Sequence, residues 1–136
     1  IFLEDEASIQ DYEALLVNHE GLITEGSRSN VFFITHDGVI KTAPASLVLS
    51  GITRKYVEEI IRREGIPMVY EAVRESDAGS FRSAFITGTS PMVLAVRCIE
   101  SRHYDTTDPV IERIREKYTI LAERSISDFK LENEAD

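Results

Sequence analysis

Three short stretches of this chain combine residue types that can bind anions or hold protons. In residues 24–30, Thr24-Glu25-Gly26-Ser27-Arg28-Ser29-Asn30, a carboxylate is followed by small polar side chains. Such a carboxylate can keep a proton on a basic nitrogen, although Ser and Asn in this setting also serve simple surface turns. Residues 49–54, Leu49-Ser50-Gly51-Ile52-Thr53-Arg54, put a Gly-containing turn before a helical pattern. Free N–H groups and the positive dipole end make such a turn an anion site, while a capped helix start is the commoner role. Thr87-Gly88-Thr89-Ser90 offers hydroxyls between apolar runs. These can bind phosphate or carboxylate, or satisfy backbone groups. Singly, no stretch decides between its two readings.

Placing these groups requires strands and at least one helix. Residues 12–17 form an apolar run that reads as a buried strand, and 22–24 resume extended structure. Residues 30–35 (NVFFIT) are rich in β-formers, and His36-Asp37-Gly38 then signals a hairpin into 39–42. Over 52–64 the spacing turns helical, with Tyr56, Val57, Ile60 and Ile61 on one face and Gly65 as the stop. Residues 67–73 read as one strand, 76–81 as a short helical turn, and 84–87 and 93–99 as β-rich runs. Asp108-Pro109 is a helix start, an N-cap acid before Pro at the first helical position. Val110, Ile111, Ile114, Tyr118 and Leu121 mark its apolar face. Residues 1–11 are expected as the tail of an upstream helix, 126–136 as a frayed tail, and Tyr104 at the surface.

Composition narrows the classes. A chain of 136 residues is sized for one domain, and 43% apolar with 29% charged residues argues against global disorder. No apolar run approaches the ~20 residues that span a bilayer as a helix. Acidic residues number 24 against 15 basic, a net charge of −9 with no basic patch, which disfavours nucleic acid and anionic membrane surfaces. His19, His36 and His103 lack metal-ligand spacing, so no metal is expected. Cys98 is the single cysteine, which excludes an intramolecular disulfide and fits a reducing cytoplasm.

In order, spacing and flanking strands, the three stretches resemble the class IV pyridoxal-phosphate aminotransferases. This family includes branched-chain and D-amino-acid aminotransferases and aminodeoxychorismate lyase. Residues 24–30 look like its T-E-G-x-x-S-N loop, residues 49–54 its L-x-G-I-T-R segment, and Thr87-Gly88-Thr89-Ser90 its T-G-T-[AS] turn. The resemblance covers about residues 10–100 and implies an α+β fold. That fold is the C-terminal domain of the D-amino-acid aminotransferase type, a mostly β pseudo-barrel with two main flanking helices. It also implies pyridoxal 5′-phosphate as cofactor, with Glu25 against the pyridine nitrogen and Leu49 pressed on one ring face. The cofactor phosphate would lie on the N–H groups of Ile52 and Thr53, after Gly51, with the Thr89 hydroxyl beside it. The Thr89 and Ser90 amides would meet a substrate carboxylate, and Ser29 and Asn30 would hold the loop in shape. The implied partners are an amino acid, a 2-oxo acid and a second copy of the enzyme.

The chain departs from the family in three places. Met92 stands where many members carry Glu, and Ala95 where Pro is usual. More seriously, the family's cofactor-bonding lysine precedes the T-E-G loop, whereas here the 24 residues before Glu25 contain no lysine. Lys41, Lys55, Lys117 and Lys130 match no such position. With an opening Ile-Phe-Leu-Glu-Asp-Glu that lacks Met, residues 1–136 are expected to be the cofactor-binding part of a longer aminotransferase, inactive alone. A lyase of the aminodeoxychorismate type and a non-catalytic binding or assembly module on the same fold remain alternatives.

Overall fold

The apolar runs become a mixed sheet in the computed structural model, which describes residues 1–6, 12–49, 51–89 and 92–134. In chain order the elements begin with β1 (Phe2–Asp5), β2 (Tyr12–Val17), β3 (Leu22–Gly26), β4 (Asn30–Ile34) and β5 (Ile40–Thr42). Then follow α1 (Ile52–Arg63), β6 (Met68–Tyr70), β7 (Val73–Arg74), β8 (Ser83–Gly88), β9 (Met92–Ile99), β10 (Arg102–His103) and α2 (Pro109–Glu134). Short 3₁₀ turns cover Ala45–Leu47 and Glu75–Ser80, the second where a helical turn is expected. Strand order is β6-β5-β4-β8-β9-β1-β2-β3-β7, with β10 beside β9. All pairings are antiparallel except β5–β6, which the α1 crossover joins in parallel.

Both faces of the central strands are covered, which explains why NVFFI shows no polar alternation. In β4, Val31 and Phe33 enter one core with Leu3, Leu15, Ile23 and Ile86. Phe32 and Ile34 point the opposite way, toward Val57 and Ile61 of α1 and Ile111 and Ile114 of α2. Phe32 stacks on Phe85 of β8 at a centroid distance of 4.8 Å. The first core is enclosed as the sheet curls, and the second fastens the helices to its outer face. This is the α+β pseudo-barrel with two main helices that the motifs imply.

Several local expectations need correction. Residues 2–5 form a strand rather than a helix tail, pairing β2 on one side and β9 on the other. Only Leu3 of that strand is fully buried, too brief a signal for periodicity to reveal. The single strand expected over 67–73 is two, because β6 joins β5 whereas β7 joins β3. On α1, Tyr56 is exposed while Thr53 and Arg54 are buried with Val57, Ile60 and Ile61. The helix α2 runs on to Glu134, so most of the expected frayed tail, 126–134, is helical. Tyr104 is buried, not superficial; its hydroxyl donates to the Ala78 carbonyl at 2.6 Å, and burial pushes its pKa up to about 12. Its polar sequence neighbours concealed that burial.

Both helix starts follow from their caps. Asp108 is fully buried and accepts the Val110 N–H at 2.9 Å, and it also binds Arg82 and Ser83. The start of α1 is different. Gly51 is its N-cap, makes no side-chain cap, and leaves the first-turn N–H groups to another acceptor.

Candidate active site

One cleft of about 320 Å³ collects the expected positions Glu25, Leu49, Gly51, Ile52, Thr53 and Thr89. Its size falls in the range of small-ligand sites, roughly 300–1,000 Å³. Glu25 comes from the end of β3, the Gly51 turn from the start of α1, and Thr89 from the end of β8. Ser90 lies outside the described residues.

The loop between β3 and β4 is held by Glu13 of β2. Its carboxylate accepts the Arg28 N–H at 2.5 Å and the Ser27 hydroxyl at 3.1 Å. The Ser29 carbonyl accepts the Gly26 N–H at 2.8 Å. Contrary to expectation, the Ser29 and Asn30 side chains do not brace the loop: Ser29 Oγ and Asn30 Nδ2 are buried without partners. Gly26 is required by crowding. A Cβ there would stand 2.3 Å from Ser29 Oγ and 2.9 Å from Glu13 Oε1. Gly26→Ala is therefore expected to displace the loop and cost about 1–3 kcal/mol, as overpacking does, in a denaturant titration. Unchanged stability would show that the loop yields freely.

Glu25 sits opposite Leu16 in the β2–β3 register, and both side chains reach the cleft. The Leu49 N–H donates to the two Glu25 carboxylate oxygens at 3.3 and 3.4 Å, long distances that indicate weak bonds. Leu49 itself is 85% exposed and Ile52 73% exposed, unusual for large apolar side chains unless something covers them. Across from Glu25, the uncapped first turn of α1 presents N–H groups and the positive end of the helix dipole.

Arg54 and Thr87 also line this cleft, although sequence reasoning gave them no role. Arg54 Nη1 and Thr87 Oγ1 are buried and unpartnered among the described residues, like Ser29 Oγ and Asn30 Nδ2. Buried polar atoms are normally satisfied, so four orphans on one cleft point to a polar ligand or bound water. The available signal was the position of Arg54 inside the helix-opening motif. His19, His36 and His103 are exposed, and no metal-binding group of His, Cys, Asp and Glu occurs among the described residues.

A sequence model described as Amino-transferase class IV matches residues 1–99. The chain belongs to the class IV aminotransferase family. It is 32% identical to a branched-chain-amino-acid aminotransferase of Pseudomonas aeruginosa over 108 residues, covering 78% of this chain and 35% of that protein. A D-alanine aminotransferase of Bacillus licheniformis is 35% identical over 92 residues, 67% of this chain and 32% of the relative. Among solved structures, the branched-chain aminotransferase of Thermoproteus uzoniensis with norvaline superposes with a TM-score of 0.75 at 31% identity. That match covers 81% of this chain and 37% of the other. A second branched-chain aminotransferase, complexed with N-(5′-phosphopyridoxyl)-L-glutamate and with its source abbreviated T.th., gives 0.73 at 37% identity, covering 79% and 36%. This class IV aminotransferase chain thus spans little more than a third of the structures it matches.

Proposed function

We propose that this chain is the pyridoxal 5′-phosphate-binding part of an aminotransferase that moves an amino group between an amino acid and a 2-oxo acid. The observation that carries the reading is one cleft with a carboxylate, Glu25, on one wall and an uncapped helix start on the other. The cofactor has matching ends, a phosphate dianion and a basic ring nitrogen. The four orphaned polar atoms support the fit of a polar group there.

When bound, the cofactor supplies an electron sink for the bond broken at the substrate's Cα. The N–H groups of Ile52 and Thr53 bind its phosphate, and the Thr89 hydroxyl stands beside them. Glu25 holds a proton at the ring nitrogen, since a nearby carboxylate favours the protonated form. Leu49 covers one face of the ring and excludes water there. The Thr89 and Ser90 amides orient the substrate carboxylate. A homodimer in the cytoplasm completes the reading; buried Cys98, whose thiol donates to Glu4 at 3.4 Å, supports a reducing compartment. The aminotransferase names of the relatives above favour transfer over a lyase reaction.

The 136-residue chain alone is expected to show no transamination. Lys41 is paired with Glu71 at 3.7 Å, Lys55 is exposed on α1, and neither lines the cleft. Steady-state assays with branched-chain and D-amino acids plus 2-oxoglutarate check this. Turnover above that of free cofactor would overturn it and implicate Lys41 or Lys55. Titration with pyridoxal 5′-phosphate should perturb the amides of Ile52 and Thr53, and their indifference would sink the cofactor reading.

A further inference from the structure

Arg54 breaks a rule of helix composition. It occupies the third position of α1, at the positive end of the dipole, where cations are disfavoured, and the first turn holds no acid. It is nonetheless 1% exposed. Its Nε donates to Glu58 Oε1 at 2.6 Å, its Nη2 donates to the Ala43 carbonyl, and its guanidinium lies 5.9 Å from the Phe32 ring centroid. Glu58 is fixed in turn by the Tyr70 hydroxyl, which donates to Oε2 at 3.0 Å. These contacts pin the guanidinium and leave Nη1 without a partner on the cleft.

Two further unpartnered groups lie next to it. Asn30 and Thr87 are direct cross-strand partners of β4 and β8. They share a strand face with Phe32 and Phe85, the face against which Arg54 packs. Asn30 Nδ2 and Arg54 Nη1 can only donate, and the Thr87 hydroxyl can donate as well. The complementary ligand is rich in acceptor oxygens. A buried guanidinium with an idle donor costs desolvation that an apolar residue of similar size would avoid. In a chain of net charge −9, which repels anions at a distance, that cost has a use if this turn must discriminate among anions.

We propose that Arg54 sets the charge preference of the α1 turn, so that it takes a doubly charged phosphate group in preference to a singly charged one. The proposal rests on the reading of that turn as the phosphate site and adds a selectivity residue behind it. Arg54 acts as a positioning and selectivity residue whose charge adds to the backbone N–H groups of Ile52 and Thr53. Glu58 partly neutralises it and so moderates the preference.

The test follows the amide signals of Ile52 and Thr53 in the isotope-labelled chain during titration with inorganic phosphate, below and above its second ionisation. Inorganic sulfate, whose charge stays constant over that span, controls for titration of the protein. The charged or titratable groups around the turn are Glu25 from β3, Arg28 from the loop, Arg54 and Glu58 from α1, and Tyr70 from β6. The wild-type chain should bind dianionic phosphate about tenfold or more tightly than the monoanion, with sulfate affinity unchanged. Arg54→Gln should lose about tenfold in dianion affinity and most of the preference, and Arg54→Lys should restore part of it. Glu58→Gln keeps an acceptor for Arg54 Nε but removes the neutralising charge, so dianion binding should tighten. A merely structural ion pair predicts the opposite: both variants weaken binding and keep the preference, which overturns the proposal. Should Arg54→Gln fail to fold, Glu58→Gln decides by the same criterion. If phosphate shifts both amides while the variants leave the preference intact, only this proposal falls. If neither anion shifts them in the wild type, the cofactor reading falls with it.

Discussion

Glu25→Gln in the complete enzyme is expected to lower turnover by about 10²–10³-fold, the usual loss when one preorganised electrostatic partner is removed. Glutamine at the end of β3 keeps the shape of the cleft wall and an acceptor for the Leu49 N–H. It cannot supply the negative charge that favours a protonated ring nitrogen. The phosphate contacts at the α1 turn are on the opposite wall, so cofactor retention should change little. Steady-state kinetics together with the ratio of bound cofactor to protein checks both halves. Near-wild-type turnover would remove Glu25 from the proposed role.

The second large effect concerns the fold. Asp108→Asn is expected to destabilise the chain by about 3 kcal/mol, the lower range for breaking a buried ion pair, and to lower Tm by about 10 °C. Asp108 has no exposed surface and ties three elements together. It accepts Arg82 Nε at 2.7 Å, Ser83 Oγ at 2.5 Å and the Val110 N–H that opens α2. Arg82 also donates to the His36 carbonyl in the β4–β5 hairpin. Burial by itself pushes the Asp108 carboxyl up, but the Arg82 and Ser83 hydrogen bonds and the Val110 N–H outweigh it, so it ionises below the usual carboxylate range. A depressed folded-state pKa contributes stability that is complete above the unfolded value, ~3.9, and is lost as pH falls through the folded value. Wild-type stability should therefore carry an acid-side slope from Asp108 that Asp108→Asn lacks. Equal slopes in parallel denaturant titrations would contradict this assignment.

How far the sequence revealed this molecule depended on the length of each signal. α1 was legible because Val57, Ile60 and Ile61 repeat at helical spacing and Gly65 ends the pattern at φ +67. The β8–β9 hairpin was legible because each strand is longer than five residues and strongly apolar. β1 was not, since one buried leucine in four residues carries no period. The break between β6 and β7 was hidden because it reflects a change of partner strand, which local composition does not encode. At the site, Glu25, the Gly51 turn and Thr89 were legible as motif residues. Arg54 looked like any arginine on a helix, and its burial appears only once Phe32 and Ala43 are brought against it.

The route of the strands around the first core has a further consequence. β3 and β4 are not hydrogen-bonded to each other: β3 has β2 and β7 as neighbours, and β4 has β5 and β8. They are connected twice, directly by the loop 27–29 and the long way round through β2, β1, β9 and β8. The cleft sits at the seam of this circuit, with Glu25 on one lip and Asn30 on the other. A closed circuit tolerates one interruption without springing apart. The spacing of the two lips is therefore set redundantly, by a covalent span of three residues and by a hydrogen-bonded detour of four strands. Ligand-sized order can persist at that seam even though no ladder crosses it, and β1, the least conspicuous strand in the sequence, is an indispensable link in the longer arc.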